Sequence, residues 1–192
     1  RRQRQMCIRD RVGTAAGVIH IANRFIDATS QLKDMLEQPH SKTYDWRFGK
    51  IFYTKQGHGT PILLIHDIMP VASGYEWNAI EKQLATEHTV YTIDLLGCGR
   101  SEKPDITYTN FVFAQLLCDF VKNVIREETD VIASGFSGSF AIMAYRNNSD
   151  HFRKIMLVNP PSFSSLKQAP CKDNKLFKYF IELPIFGTLI YH

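Results

Sequence analysis

The stretch of sequence that decides the fold is DVIASGFSGS, residues 130–139. Residues 130–133 have the pattern of a buried strand, and a helical pattern begins at residue 138. A G-x-S-x-G turn between a strand and a helix predicts that the serine, here Ser137, projects its Oγ above the strand ends. Such a turn needs small residues two positions before and two positions after the serine, because the helix and the neighbouring strand come close. Gly135 and Ser139 occupy these two positions.

The same turn would place Ser137 at the N-terminus of the helix. Free N–H groups and the helix dipole at that end favour negative charge that develops during a reaction. The backbone N–H of Gly138 would then be one donor to an oxyanion. Because a five-residue match also arises by chance, the turn alone leaves a catalytic serine and an ordinary loop equally open.

Strand and helix patterns alternate on both sides of this turn. Apolar residues at helical spacing predict one helix through Trp77, Ile80 and Leu84, opened by an S-x-x-E capping box at 73–76. Further helices are predicted at 113–125 and 138–147, and strands at 48–55, 62–65, 89–94, 130–133 and 155–158. This repetition predicts an α/β fold, with a mostly parallel sheet covered by helices on both faces.

Two further segments resemble a known family. Residues 62–67 (ILLIHD) are a strand that ends in His-Asp, and residues 94–101 (DLLGCGRS) are a strand end with a glycine-rich turn. Together with the serine turn, they follow the motif order of the α/β-hydrolase superfamily. The resemblance runs from about residue 48 to residue 161. It implies an α/β-hydrolase fold in which the serine turn is the nucleophile elbow.

The resemblance also implies roles for individual residues. Ser137 would be the nucleophile, and the backbone N–H groups of Gly138 and Ile68 would form the oxyanion hole. His66 matches the histidine that supports the oxyanion loop by hydrogen bonds, a role that we favour over proton transfer. The implied activity is that of a serine hydrolase of the ester or amide type, similar to carboxylic ester hydrolases. It would act through an acyl-serine intermediate on a small-molecule substrate.

The chain departs from the family at Asp67, where the family has a glycine. A glycine-like backbone conformation at Asp67 would carry strain, and its carboxylate would oppose the negative charge of an oxyanion. This departure, together with Ser139 at the second glycine position of the elbow, keeps a second hypothesis open. The chain would then be a non-catalytic member of the superfamily that binds a ligand or a partner through the same cleft.

The serine at the elbow also bears on the other activities of the superfamily. Members that open epoxides or remove halides use an aspartate at the elbow, and the serine of this chain therefore disfavours both. Carbon–carbon bond hydrolysis, peptidase activity and acyl transfer stay open.

A serine nucleophile needs a base and an orienting acid, which the superfamily supplies after the elbow. After Ser137 the sequence has only two histidines, His151 and His192. His151 follows the elbow helix, and His192 is the last residue. We therefore expect a fold that is incomplete at the C-terminus and a 192-residue chain that is inactive, because it lacks the triad acid and histidine.

The ends of the chain differ in composition from its middle. Residues 6–11 (MCIRDR) resemble a translated sequencing adapter, and residues 12–22 are apolar but shorter than the roughly 20 residues that cross a bilayer. Residues 12–26 are therefore either part of an N-terminal helix in a cytoplasmic protein or the end of a membrane anchor. The predicted organisation is a non-native segment at 1–11, a helix or anchor remnant at 12–43, the hydrolase core at 44–165 and the start of a lid at 166–192.

Charge and cysteine usage exclude several classes of function. The formal net charge is +4, and residues 1–11 carry all of this excess because they hold five arginines and one aspartate. The rest of the chain is neutral, which gives no indication of a nucleic-acid partner. The four cysteines have no paired spacing, as is typical of a reducing compartment, and no metal or phosphate-loop motif is present.

The glycine-rich turn at 97–102 has a rival interpretation as a dinucleotide-binding site. Glu102 stands at the third glycine position of that pattern and Pro104 stands where its helix would begin, which disfavours cofactor binding. Cys98 in the same turn is expected to be a packed thiol rather than a nucleophile. We therefore expect no cofactor and no metal.

Overall fold

The described part of the chain contains a six-stranded sheet. The computed structural model describes residues 20–21, 24, 40–69 and 71–162. Its strands are β1 (Ser41–Trp46), β2 (Gly49–Gln56), β3 (Thr60–Ile65), β4 (His88–Ile93), β5 (Thr129–Ser134) and β6 (Phe152–Val158). They pair in the order β1-β2-β4-β3-β5-β6. Each predicted strand is present, with its ends shifted by a few residues.

β1 is the strand that the sequence did not indicate. It begins at Ser41, so the sheet includes three residues that the predicted boundary at 44 assigned to the N-terminal segment. Only Trp46 of this strand is buried, and its sequence therefore lacks the apolar alternation that reveals a strand. β1 forms an antiparallel hairpin with β2.

Most of the sheet is parallel. β2 is antiparallel to β4, whereas β3 is parallel to both β4 and β5, and β5 is parallel to β6. Ile65 at the end of β3 pairs with Ile93 of β4 and with Ala133 of β5. The carboxyl ends of these three strands therefore meet at one edge of the sheet. This arrangement confirms the predicted α/β class with a mostly parallel sheet.

Three α-helices connect the strands of the described region. They are α1 (Asn78–Leu84), α2 (Asn110–Phe120) and α3 (Ser137–Asn147). A 3-10 turn, Gly74–Trp77, precedes α1, and a π-helical turn, Val121–Ile125, continues α2. Thr109 caps α2, because its side chain accepts a hydrogen bond from the N–H of Val112.

The core lies on both faces of the sheet. Alternate residues of β3 point to opposite faces, so Leu63 and Ile65 belong to a large cluster, and Ile62 and Leu64 belong to a small one. The large cluster includes the buried faces of α2 and α3, and the small one includes Trp77 just before α1. The apolar positions predicted for the helix at 113–125 are confirmed, since all of them lie in or against the large cluster.

The face predicted for α1 is only partly correct. Trp77 is buried, but Ile80 is 39% exposed, and Glu81 is buried in its place. The Glu81 carboxylate accepts hydrogen bonds from Thr54 Oγ1 at 2.7 Å and Thr92 Oγ1 at 3.0 Å. These two hydroxyl groups satisfy the buried carboxylate, which explains how a charged side chain replaces the isoleucine.

Little of the N-terminal prediction falls on described residues. His20, Ile21 and Arg24 are helical, and the other residues of 1–39 lie outside the description. The predicted anchor remnant at 12–26 and the lid at 166–192 therefore stay predictions, as does any role for His192. No helix in the described ranges is both long and apolar enough to cross a membrane.

Candidate active site

Two glycines of the turn after β5 have close neighbours. Gly135 has φ +54°, a left-handed conformation, and a Cβ at this position would overlap the carboxyl group of Asp67. A Cβ on Gly138 would lie 2.9 Å from Leu157 Cδ2 of β6. Ser139 meets no such limit, and its Oγ donates a hydrogen bond to the carbonyl of Phe136 at 2.8 Å. The turn therefore forms without a second glycine at the position of Ser139.

Ser137 is the first residue of α3 and is fully buried, with 0% exposure. Its Oγ donates a hydrogen bond of 2.5 Å to the backbone carbonyl of His66. The exposed side chain of the turn is Phe136, at 41%. The contact with His66, the residue directly after β3, lies at the carboxyl ends of the strands, and the Ser137 hydroxyl is buried there rather than open to solvent. The backbone of Ser137 already belongs to the first turn of α3, and its side chain lies beneath the loop after β3.

His66 holds the loop after β3 through both ring nitrogens. Its Nε2 accepts the backbone N–H of Leu95 at 3.0 Å, so Nδ1 carries the proton and donates to the carbonyl of Asp67 at 2.6 Å. Complete burial lowers the pKa of His66, although the nearby carboxylates of Asp94, Glu76 and Asp67 oppose this shift. The neutral ring is engaged on both sides, and only the backbone carbonyl of His66 reaches Ser137.

Asp67 lies between the loop after β3 and the turn after β5. Its Oδ1 accepts the backbone N–H of Ile68 at 2.7 Å and the backbone N–H of Phe136 at 2.8 Å. The backbone of Asp67 does not have a positive φ, so the strain expected at this position is absent. The expected conflict between the Asp67 carboxylate and an oxyanion is present, because the carboxylate accepts the same Ile68 N–H that the family resemblance assigned to the oxyanion hole.

Glu76 is a contributor that the sequence analysis missed. Its Oε2 accepts the backbone N–H of Asp67 at 3.0 Å, which ties the loop after β3 to the 3-10 turn before α1. The S-x-x-E pattern indicated a capping box, and Ser73 does accept the N–H of Tyr75 at 3.4 Å. The glutamate of that pattern instead contacts the loop. The signal was present in the sequence, but its partner lies nine residues earlier.

The glycine-rich turn after β4 surrounds the carboxylate of Asp94. This carboxylate accepts the N–H of Gly74 at 2.6 Å and the N–H of Arg100 at 2.9 Å. Gly99 has φ +49°, and a Cβ there would overlap the same carboxylate. The hydroxyl of Ser101 donates to the Asp94 carbonyl at 2.6 Å. The turn therefore needs a glycine at position 99 because the Asp94 carboxylate, and not a bound ligand, occupies the space beside it.

An apolar cavity of about 220 Å³ adjoins the loop after β3. Its lining includes Ile68, Met69, Leu96, Cys98, Tyr108 and Phe113. Burial raises the pKa of the Cys98 thiol, and the nearby Asp94 carboxylate raises it further. The thiol is therefore held in its neutral form, which is a poor nucleophile.

His151 lies beyond the C-terminal end of α3, in the 3-10 turn Ser149–His151. Ser137 lies at the other end of the same helix. Within residues 40–69 and 71–162, no histidine ring forms a hydrogen bond with Ser137 Oγ. The described site thus contains the serine and the loops around it, but no general base in contact with the serine.

The order of strands, the serine turn and the loop after β3 agree with a match to a known family. The model of the alpha/beta hydrolase family matches residues 58–186. The chain belongs to this family. Its relatives include hydrolases that differ in the substrates given in their names.

Two curated relatives have similar levels of identity. A soluble epoxide hydrolase from a Corynebacterium species is 28% identical over 110 residues, which are 57% of this chain and 38% of that protein. A 2-hydroxymuconate semialdehyde hydrolase from a Pseudomonas species is 26% identical over 110 residues, which are 56% of this chain and 39% of that protein. The chain thus spans about two fifths of the length of these relatives.

A solved structure with the same fold is that of an alpha/beta hydrolase fold protein from Burkholderia ambifaria. It matches with a TM-score of 0.65 at 22% identity, and the match covers 80% of this chain and 56% of that one. At this identity the likeness shows the fold alone.

Proposed function

We propose that the protein containing this chain is a serine hydrolase of the ester or amide type, with Ser137 as its nucleophile. The supporting observation is the position of Ser137 at the start of α3, directly after a parallel strand and in contact with the loop after β3. Family membership supports hydrolysis in general. The serine supports an acyl-enzyme route over the epoxide and halide reactions, for which the superfamily resemblance implies an aspartate.

The proposed reaction has two halves. Ser137 Oγ attacks the carbonyl carbon of the substrate while a base takes the hydroxyl proton. The bond to the leaving alcohol or amine then breaks, and the leaving group takes up that proton. Water next attacks the acyl-serine, which releases the acid and restores the Ser137 hydroxyl. Because no described histidine contacts Ser137 Oγ, we assign the base to a residue outside the described ranges.

The apolar cavity supports a substrate with an uncharged, apolar group. It lies beside Ile68, whose backbone N–H is the proposed second oxyanion donor. A group bound between Met69, Tyr108 and Phe113 would lie next to that donor. Side chains of this kind bind apolar parts of small molecules, which supports a small-molecule substrate.

A second candidate function is ligand binding without catalysis. Two observations favour it, namely the complete burial of Ser137 and the Asp67 carboxylate on the N–H of Ile68. In this arrangement neither the serine hydroxyl nor that N–H is free to contact a substrate.

A fluorophosphonate probe on the complete protein that contains this chain separates the two candidates. We expect the wild type to be labelled covalently and the Ser137→Ala variant to lose labelling entirely. Ser139→Ala is the matched control, because it removes a neighbouring hydroxyl of the same turn and should be labelled like the wild type. Labelling that persists in Ser137→Ala would refute the assigned nucleophile. A folded wild type that is not labelled at all would favour the non-catalytic candidate.

A further inference from the structure

Two hydrogen bonds made by the loop after β3 would both have to break during the proposed reaction. One joins Ser137 Oγ to the His66 carbonyl, and the other joins the N–H of Ile68 to the Asp67 carboxylate. The first gives the serine proton to an acceptor that cannot act as a base. The second fills an N–H that an oxyanion would need.

Several contacts hold the Asp67 carboxylate in this position. It accepts the N–H of Phe136 as well as that of Ile68, and it fills the space beside Gly135 that a side chain there would take. The backbone of Asp67 is fixed separately, because its N–H donates to Glu76 and its carbonyl accepts from the His66 ring. The carboxylate is thus a well-anchored anion bound to two backbone N–H groups.

From this geometry we propose that Asp67 is an autoinhibitory latch, defined here as its carboxylate bound to the N–H groups of Ile68 and Phe136. The proposal rests on the proposed hydrolase function. In the latched state the carboxylate occupies the anion position that the reaction requires, and Ser137 is held beneath the loop. Turnover needs the Asp67 side chain to leave these N–H groups, which would also allow the loop to release Ser137.

The latch predicts a gain of activity when the carboxylate is removed. An oxyanion contact acts only in the transition state, so removal should raise kcat and leave KM nearly unchanged. Because one oxyanion donor changes kcat by about 10²–10³-fold in well-studied enzymes, we expect Asp67→Gly to raise kcat by roughly tenfold or more. Asp67→Asn removes the charge but keeps an acceptor oxygen, and its kcat should lie between those of the wild type and Asp67→Gly.

The experiment measures hydrolysis of p-nitrophenyl acetate by the complete protein and its Asp67→Gly, Asp67→Asn and Ser137→Ala variants. Asp150→Asn, an exposed aspartate after α3, is the matched control and should behave like the wild type. Unchanged or lower kcat in both Asp67 variants, with activity that still depends on Ser137, would overturn the latch alone. Activity that survives Ser137→Ala would instead overturn the proposed function.

Hydrogen exchange tests the latch without relying on catalysis. The amide protons of Ile68 and Phe136 should exchange slowly in the wild type and faster in Asp67→Gly. Equal exchange rates in the two proteins would contradict the latch whatever the enzyme assay gives. If Asp67→Gly fails to fold, the same comparison with Asp67→Ala, which also has no acceptor oxygen, decides.

Discussion

The turn after β5 and the loop after β3 meet at the same edge of the sheet, but different forces determine their shapes. The turn is shaped by sterics, because Gly135 adopts a left-handed conformation and leaves no room for a Cβ. The loop is shaped by hydrogen bonds from other parts of the chain, including Glu76 and Leu95. Steric requirements leave a clear mark on local sequence, whereas distant hydrogen-bond partners do not.

The largest effect is expected at the point where the two regions touch. Gly135→Ala puts a Cβ into a left-handed residue and against the Asp67 carboxyl group. We expect a loss of about 2–4 kcal/mol in the free energy of unfolding, from backbone strain and overpacking together. Urea unfolding of the wild type and the variant measures this loss.

A double variant separates the two causes. In a protein that already carries Asp67→Gly, the added Gly135→Ala no longer meets the Asp67 carboxyl group but still has the backbone strain. Gly135→Ala should therefore lower the free energy of unfolding less in the Asp67→Gly background than in the wild type. A change below about 0.5 kcal/mol in Gly135→Ala would show that the turn tolerates a side chain, and the steric half of the comparison would fail.

A smaller effect, specific to the loop, depends on pH. Burial lowers the pKa of His66 below its ordinary value of 6.5, so the unfolded chain takes up a proton at this residue before the folded protein does. The free energy of unfolding should therefore fall as the pH drops through about 6.5. Urea unfolding between about pH 7.5 and pH 5.5 measures this dependence.

The control for this prediction is His66→Gln, which has no titrating ring. Its stability should be lower at neutral pH, because the amide replaces the two ring hydrogen bonds imperfectly, but it should depend less on pH. Nitrogen NMR of the wild type offers a direct check, since His66 should keep its proton on Nδ1 and stay neutral below pH 6.5. A ring that gains its second proton near 6.5 would contradict the assigned burial effect.

The same distinction explains how much could be predicted from sequence. Apolar runs indicated five of the six strands, and the periodicity of 113–125 indicated the buried face of α2, because both patterns are local. Ile80 and Glu81 exchanged their expected places, since Thr54 and Thr92, on two different strands, satisfy the glutamate. No local pattern contains that information.

At the site, the motif order identified the two loops that meet but not the state in which they meet. The departure at Asp67 was visible in the sequence, and so was its conflict with an oxyanion. The burial of Ser137 was not visible in the sequence, because its hydroxyl contacts a carbonyl 71 residues earlier. Except for Glu76, the candidate residues could thus be named from the sequence, whereas their contacts could not.

The smallest effect is expected at Gly138, which tests the steric argument from the other side. A Cβ there would lie 2.9 Å from Leu157 Cδ2, the far end of a flexible side chain that is 36% exposed and can move aside. Alanine also favours helix over glycine by about 0.5–1 kcal/mol, which offsets the cost of that movement. The free energy of unfolding of Gly138→Ala should therefore stay within about 0.5 kcal/mol of the wild type. A loss as large as that of Gly135→Ala would mean that both glycine positions of the turn exclude a side chain. The left-handed backbone and the Asp67 contact would then not distinguish Gly135 from Gly138.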